Sequence, residues 1–115
     1  MEKRRHKRFS VTGTAILQLE DEGDNKSIEG ILGSISSAGM GLYANNPIEA
    51  DKKVSIAISF ISVGGGIKDS VIEGRVVYSK DFGKIHCVGI QFNETVNSKN
   101  QPLLHKYIEN ILAFE

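Results

Sequence analysis

The chain comprises 115 residues with a formal net charge of zero, 40% of them hydrophobic and 24% charged, which excludes a disordered polymer and fits one compact domain with its own core. The absence of tryptophan and an aromatic content of only 7% argue against an extended stacking platform for a long nucleic-acid strand, and no apolar run approaches the roughly 20 residues of a membrane span. A single cysteine, Cys87, rules out an internal disulfide and suits a reducing compartment, so a cytoplasmic protein is expected.

The first eight residues form a basic arm. Lys3, Arg4, Arg5, Lys7 and Arg8 supply five of the 14 basic residues, leaving nine basic against 13 acidic residues over positions 9–115. A neutral protein that gathers positive charge in one short arm carries a local anion site rather than a general polyanion surface. The alternative for such a run is an unstructured, solubilising tail. The charged start, Met1 to Arg5, leads into no apolar segment, so no secretion signal is expected.

Residues 9–115 read as a single domain of short strands. From Phe9 to Leu19 the apolar residues Phe9, Val11, Ala15, Leu17 and Leu19 fall on odd positions, the period of a half-buried strand. Glu20–Asn25 is a polar turn, and a second strand covers Ser27–Ser36. Ser37-Ala38-Gly39 breaks it before a short third strand, Met40–Tyr43, which ends at Asn45-Asn46-Pro47. Val54, Ile56, Ile58 and Phe60 alternate with Ser55, Ala57 and Ser59, one face for a core and one for water. After Gly64-Gly65-Gly66 come Ser70–Lys80 and Lys84–Asn93, joined by a hairpin connection at Asp81-Phe82-Gly83. Six strands without intervening helices imply an all-β fold, an antiparallel barrel or sandwich, and closure into a barrel removes exposed edges.

The C-terminus alone has helical periodicity, over about residues 98–113. Leu104, Tyr107, Ile108, Ile111 and Leu112 make one apolar stripe, which packs on the barrel or, as the alternative, into a partner's groove. Ser98 followed by Gln101 has the form of a capping box, with Pro102 in the first turn, where its missing amide hydrogen costs nothing. Catalytic and metal chemistry find no support. His86 and Cys87 are neighbours on a strand, so they face opposite sides. His6, His86 and His105 lack metal-ligand spacing, and Gly64-Gly65-Gly66-Ile67-Lys68 lacks the Gly-Lys-Ser/Thr of a phosphate-binding loop.

Two segments together are more specific. Arg4-Arg5-His6-Lys7-Arg8 contains Arg-x-x-x-Arg just before the first strand, and Ser34-Ile35-Ser36-Ser37-Ala38-Gly39 lies about 30 residues later between two strands. In that order and on that strand pattern they resemble the RxxxR and (D/N)xSxxG motifs of the PilZ domain family. Val88-Gly89-Ile90-Gln91-Phe92 is similar to the family's late strand, and the likeness spans nearly the whole chain.

The resemblance implies a six-stranded antiparallel split β-barrel with a C-terminal helix, acting as a non-catalytic receptor for the bacterial second messenger cyclic di-GMP. It needs no cofactor beyond that ligand and would signal, as a monomer or weak dimer, to a downstream protein partner. By this resemblance Arg4, Arg5, Arg8, Ser34, Ser36, Gly39 and Tyr78 are the ligand-binding residues. A guanidinium fork matches guanine O6 and N7, binds phosphate bidentately and stacks on a base, which lysine does not. Ser36 would offer a hydroxyl, and Gly39 a sharp turn or a close approach to ligand. Tyr78 is either a stacking residue or simply an aromatic on the barrel rim. Ser34 departs from the pattern, because a carboxylate there accepts two guanine N–H bonds and a serine offers one neutral acceptor. The difference is on the order of 1–3 kcal/mol, about tenfold to a hundredfold in affinity. The sequence therefore leaves a second possibility, a degenerate PilZ-like adaptor that works through protein contacts without cyclic di-GMP.

Overall fold

The computed structural model describes residues 9–10, 13–20, 27–62 and 65–113. Its elements in chain order are β1 (Phe9–Ser10), β2 (Thr14–Leu19), β3 (Ser27–Ile35), β4 (Gly39–Ala44), β5 (Lys53–Ile61), β6 (Ile67–Phe82), β7 (Ile85–Phe92) and α1 (Pro102–Ala113). Every strand pairing is antiparallel. The order β3-β2-β5-β6-β7-β4 is closed by β3–β4 pairing, so the sheet is a six-stranded barrel, with β1 lying along the same edge of β3 as β2.

Period-two sequence patterns build the core directly. Ala15, Leu17 and Leu19 of β2 stand opposite Ile58, Ile56 and Val54 of β5, and all six are buried. The ring continues through Ile56↔Ile72, Val76↔Ile90, Ile90↔Met40 and Leu42↔Leu32, again all buried. Each cross-strand pair places two apolar side chains on the inner face, where burial of one such side chain contributes about 1.5–3 kcal/mol.

Two β-bulges interrupt the alternation. Leu32↔Leu42 is followed by Ser34↔Gly41, which leaves Gly33 as an extra residue in β3. Val76↔Ile90 is followed by Tyr78↔Gly89, which leaves Val77 extra in β6. An extra residue reverses the facing of everything after it on that strand. Thus Ile28 and Leu32 point inward from even positions of β3, and Ile35 from an odd one.

Local details differ from the sequence expectation in several places, among them β6, which begins at Ile67, paired with Ile61, rather than at Ser70. The strand expected over Phe9–Leu19 is two pieces, and the register on β3 changes by one residue between Ser10↔Ser34 and Thr14↔Ile31. Met40–Tyr43 is extended at both ends, since Gly39 already pairs with Gln91 and Ala44 with His86. The hairpin connection is Gly83–Lys84, because Phe82 pairs with Ile85. Gly83 has φ of 69°, the left-handed conformation that two-residue hairpin turns require and glycine adopts freely. The capping box is displaced by one residue. Asn97 Oδ1 accepts the backbone N–H groups of Lys99 and Asn100 at 2.8 and 2.9 Å, while Gln101 Nε2 donates to the Val71 carbonyl at 2.8 Å. Asn97 does what was expected of Ser98, and α1 itself begins at Pro102. The Asp21–Asn25 portion of the expected polar turn lies outside the described residues.

The helix packs on the barrel as its stripe implies. Leu104 and Ile108 are buried in the common core, and the Tyr107 ring lies 4.6 Å from that of Phe60 at 37°. Among the described residues no helix is long and apolar enough to cross a membrane. Leu104 is fully buried, so Leu104→Ala is expected to lower the unfolding free energy by about 2–5 kcal/mol in a denaturant titration.

Candidate functional site

The candidate site lies on the outer face of the barrel. In β4 the side chains of Met40, Leu42 and Ala44 fill the core, and in β7 those of Val88, Ile90 and Phe92 do so. Gly41 and Gly89 therefore face outward, and they are register partners. Gly41 also pairs with Ser34, Gly89 with Tyr78, and Ser34 with Ser10. The result is one cross-strand row, Ser10–Ser34–Gly41–Gly89–Tyr78, running over five strand segments. Both bulges act on this row. In phase with Leu32, Ser34 would point into the core, and in phase with Val76 so would Tyr78.

The row is neutral and low in side-chain bulk at its centre. Ser34 is half-buried, and Tyr78 is 41% exposed. The Tyr78 ring occupies the space a side chain on Gly89 would need, since a Cβ there would meet its Cε2, Cζ and Cδ2 atoms. Arg75 and Gln91 pair in the adjacent row, and both are exposed. The sequence did not single out Arg75, although it is the one cation within the β-branched stretch Val71–Val77. Nor did it single out Gly41 and Gly89 as a floor, which is visible only when β4 and β7 are paired.

The loop of the second motif adjoins the row. Ser36 is 4% exposed. Its Oγ accepts the N–H groups of Ala38 at 3.2 Å and Gly39 at 3.3 Å, and donates to the Gly39 carbonyl at 3.4 Å. The loop is tied to the end of β7 by Phe92 N–H to the Ala38 carbonyl, 2.9 Å, and to the chain after it by Val96 N–H to the Ser37 carbonyl, 2.8 Å. Ser36 thus shapes its own loop. Gly39 serves close approach between strands, because a Cβ on it would run into the Ile90 carbonyl oxygen.

Arg4, Arg5 and Arg8 lie outside the described residues, as do Lys3 and Lys7. The described chain takes up at Phe9, paired with Ile35, and Ser10, paired with Ser34. The basic arm is therefore joined covalently to the barrel at the Ser34 end of the row. The structure brings Ser34, Tyr78 and the Ser36–Gly39 loop to one face of the sheet, with Gly39 paired to Gln91 beside Gly41↔Gly89. Chemically this face offers hydroxyl and backbone groups, an aromatic ring and, in the adjacent row, the Arg75 guanidinium.

The PilZ domain model matches residues 2–110 of the sequence. A sequence comparison with curated proteins finds no match. Among solved structures, the chain is similar to the Bacillus subtilis inhibitor of motility (MotI/DgrA), with a TM-score of 0.72 at 14% identity over 98% of this chain and 53% of that one. It is similar to the PilZ domain of YcgR from Escherichia coli, solved with c-di-GMP, with a TM-score of 0.65 at 13% identity over 98% and 96%. For the MrkH–c-di-GMP complex of K. pneumonia the TM-score is 0.72 at 13% identity over 98% and 53%. The chain spans about half the length of MotI/DgrA and MrkH. At such identities these likenesses are likenesses of fold.

Removing the Ser36 hydroxyl leaves the N–H groups of Ala38 and Gly39 without that acceptor. Ser36→Ala is expected to lower stability by about 1–3 kcal/mol without any ligand present, read from the midpoint of chemical unfolding.

Proposed function

The chain belongs to the PilZ domain family, and from that premise we propose that it is a receptor for cyclic di-GMP whose arginine arm closes over the Ser34–Tyr78 row. The observation that carries this is the pairing Ser10↔Ser34. It attaches the chain that follows Arg4, Arg5 and Arg8 to the strand bearing Ser34, which supports a reading in which the two sequence motifs serve one surface. YcgR and MrkH, which share the fold, were solved with this ligand.

The chemistry follows from the groups available. Cyclic di-GMP carries two phosphates and two guanines. Arg4 and Arg8 supply forks for guanine O6 and N7 or for phosphate, with Arg5 a third contact. Lys3 and Lys7 add to the field. Ser34 accepts a guanine N–H, and Tyr78 offers a ring for stacking. Ser36 and Gly39 hold the loop beside the row, and Gly39 keeps β4 close to β7. Ligand binding orders an arm whose five cations repel one another, and the ordered arm presents a surface to a downstream protein partner. No bond is made or broken in this scheme. The site of action is the cytoplasm.

Ser34 itself favours a second reading, an adaptor that has lost its ligand and works through protein contacts alone. The two are separated by calorimetry. As a receptor, the wild-type chain gives binding heat with cyclic di-GMP, Arg4→Ala and Arg8→Ala each abolish it, and wild-type affinity in both variants sinks the site assignment. Ser34→Asp is expected to tighten binding about tenfold or more by restoring a charged acceptor. An adaptor without ligand gives no heat in any of these titrations.

A further inference from the structure

A second tyrosine stands on the same face. Tyr43 is outward on β4, two residues beyond Gly41, and is 49% exposed. A Cβ on Gly33 would lie 2.8 Å from its Cε2 and 3.4 Å from its Cδ2. Its ring therefore occupies the side-chain space of Gly33, the bulge residue next to Ser34, as the ring of Tyr78 occupies that of Gly89. With both row glycines buried, the two rings lie toward opposite ends of the Ser34–Gly41–Gly89 row, that of Tyr78 over Gly89. Each is held against a glycine on one side and open to solvent over much of its remaining surface. A ring fixed in this way stacks on a planar ligand with little further loss of side-chain freedom.

We infer that Tyr43 is a ligand-positioning residue, which stacks a purine base at the Ser34 end of the row while Tyr78 stacks at the other. This rests on the receptor role proposed above and adds to it a residue and a ligand geometry, two bases on two rings bridged over a glycine floor. It also bears on the missing carboxylate. Stacking of one base on an aromatic ring is comparable in strength to the charged hydrogen bond that Ser34 forgoes. The ring of Tyr43 lies beside the position where that loss occurs.

The alternative is that Tyr43 only covers the bare backbone of Gly33, a stabilising device for glycines in sheets. Tyrosine emission separates the two, because the chain has three tyrosines and no tryptophan. In a Tyr78→Phe, Tyr107→Phe background Tyr43 is the remaining fluorophore, and its emission is expected to be quenched in step with calorimetric saturation by cyclic di-GMP. Tyr43→Leu, which keeps an apolar cover over Gly33, is expected to weaken binding about tenfold or more, and Tyr43→Phe to recover most of that loss. Gly33→Ala, which pushes the ring aside while retaining its chemistry, is expected to weaken binding in the same direction. Absence of wild-type binding overturns the receptor role and this inference together. Wild-type binding with unquenched Tyr43 emission and unchanged affinity in Tyr43→Leu overturns this inference alone.

Discussion

Closure of the barrel requires each strand to keep its apolar side chains on one face all the way round, and the two bulges at Gly33 and Val77 are where that demand is met by adding a residue. Ile35 re-enters the core after Gly33, so β3 stays apolar on its inner face on both sides of the bulge. The same extra residue turns Ser34 outward. In β6 the extra residue turns Tyr78 outward after Val76. Because the side-chain period of a strand is two, this reversal is all or nothing. The candidate surface thus depends on a core constraint, and removing either bulge would exchange a surface residue for a buried polar or oversized one.

Within that frame the outer face divides labour by charge and shape. The described row contributes almost no charge: a hydroxyl at Ser34, backbone at Gly41 and Gly89, and the rings of Tyr78 and Tyr43. Five of the 14 cations are gathered in residues 3–8, and the rest of the chain carries an excess of acid. A ligand that needs both flat contact and strong cationic pairing would draw the two from different parts of the chain. The Ser10↔Ser34 pairing attaches the chain just after the cationic segment to the edge of that face.

Two residues of the second motif, Ser36 and Gly39, make architectural contacts. Ser36 spends its hydroxyl on Ala38 and Gly39, and the loop it shapes is bound to Phe92 at the end of β7 and to Val96 beyond it. Gly39 lets β4 approach the Ile90 carbonyl. These contacts fix the spacing of β4 and β7, and with it the pairing of the two glycines that make the floor.

Much of this was legible in the sequence, for reasons of periodicity. Val54–Phe60 and Ala15–Leu19 announce their strands because alternation of side chains is local to a strand, and Leu104–Ile108 announces its helix because its stripe is local to a helix. The two motifs could be read because their residue types are tied to chemistry. What lay beyond the sequence was relational. A bulge is an extra residue only relative to a partner strand, so Gly33 and Val77 look like ordinary members of their runs. Tyr43 covers Gly33 from the neighbouring strand, a contact created by register alone. The turn before the helix is closed by Asn97 and Asn100 rather than by Ser98 and Gln101, whose side chain instead bonds the Val71 carbonyl 30 residues away. Composition and alternation determined the all-β strand pattern and its core. Tertiary pairing decided which residues share the barrel's outer face, because only the register between strands sets which side chains stand side by side.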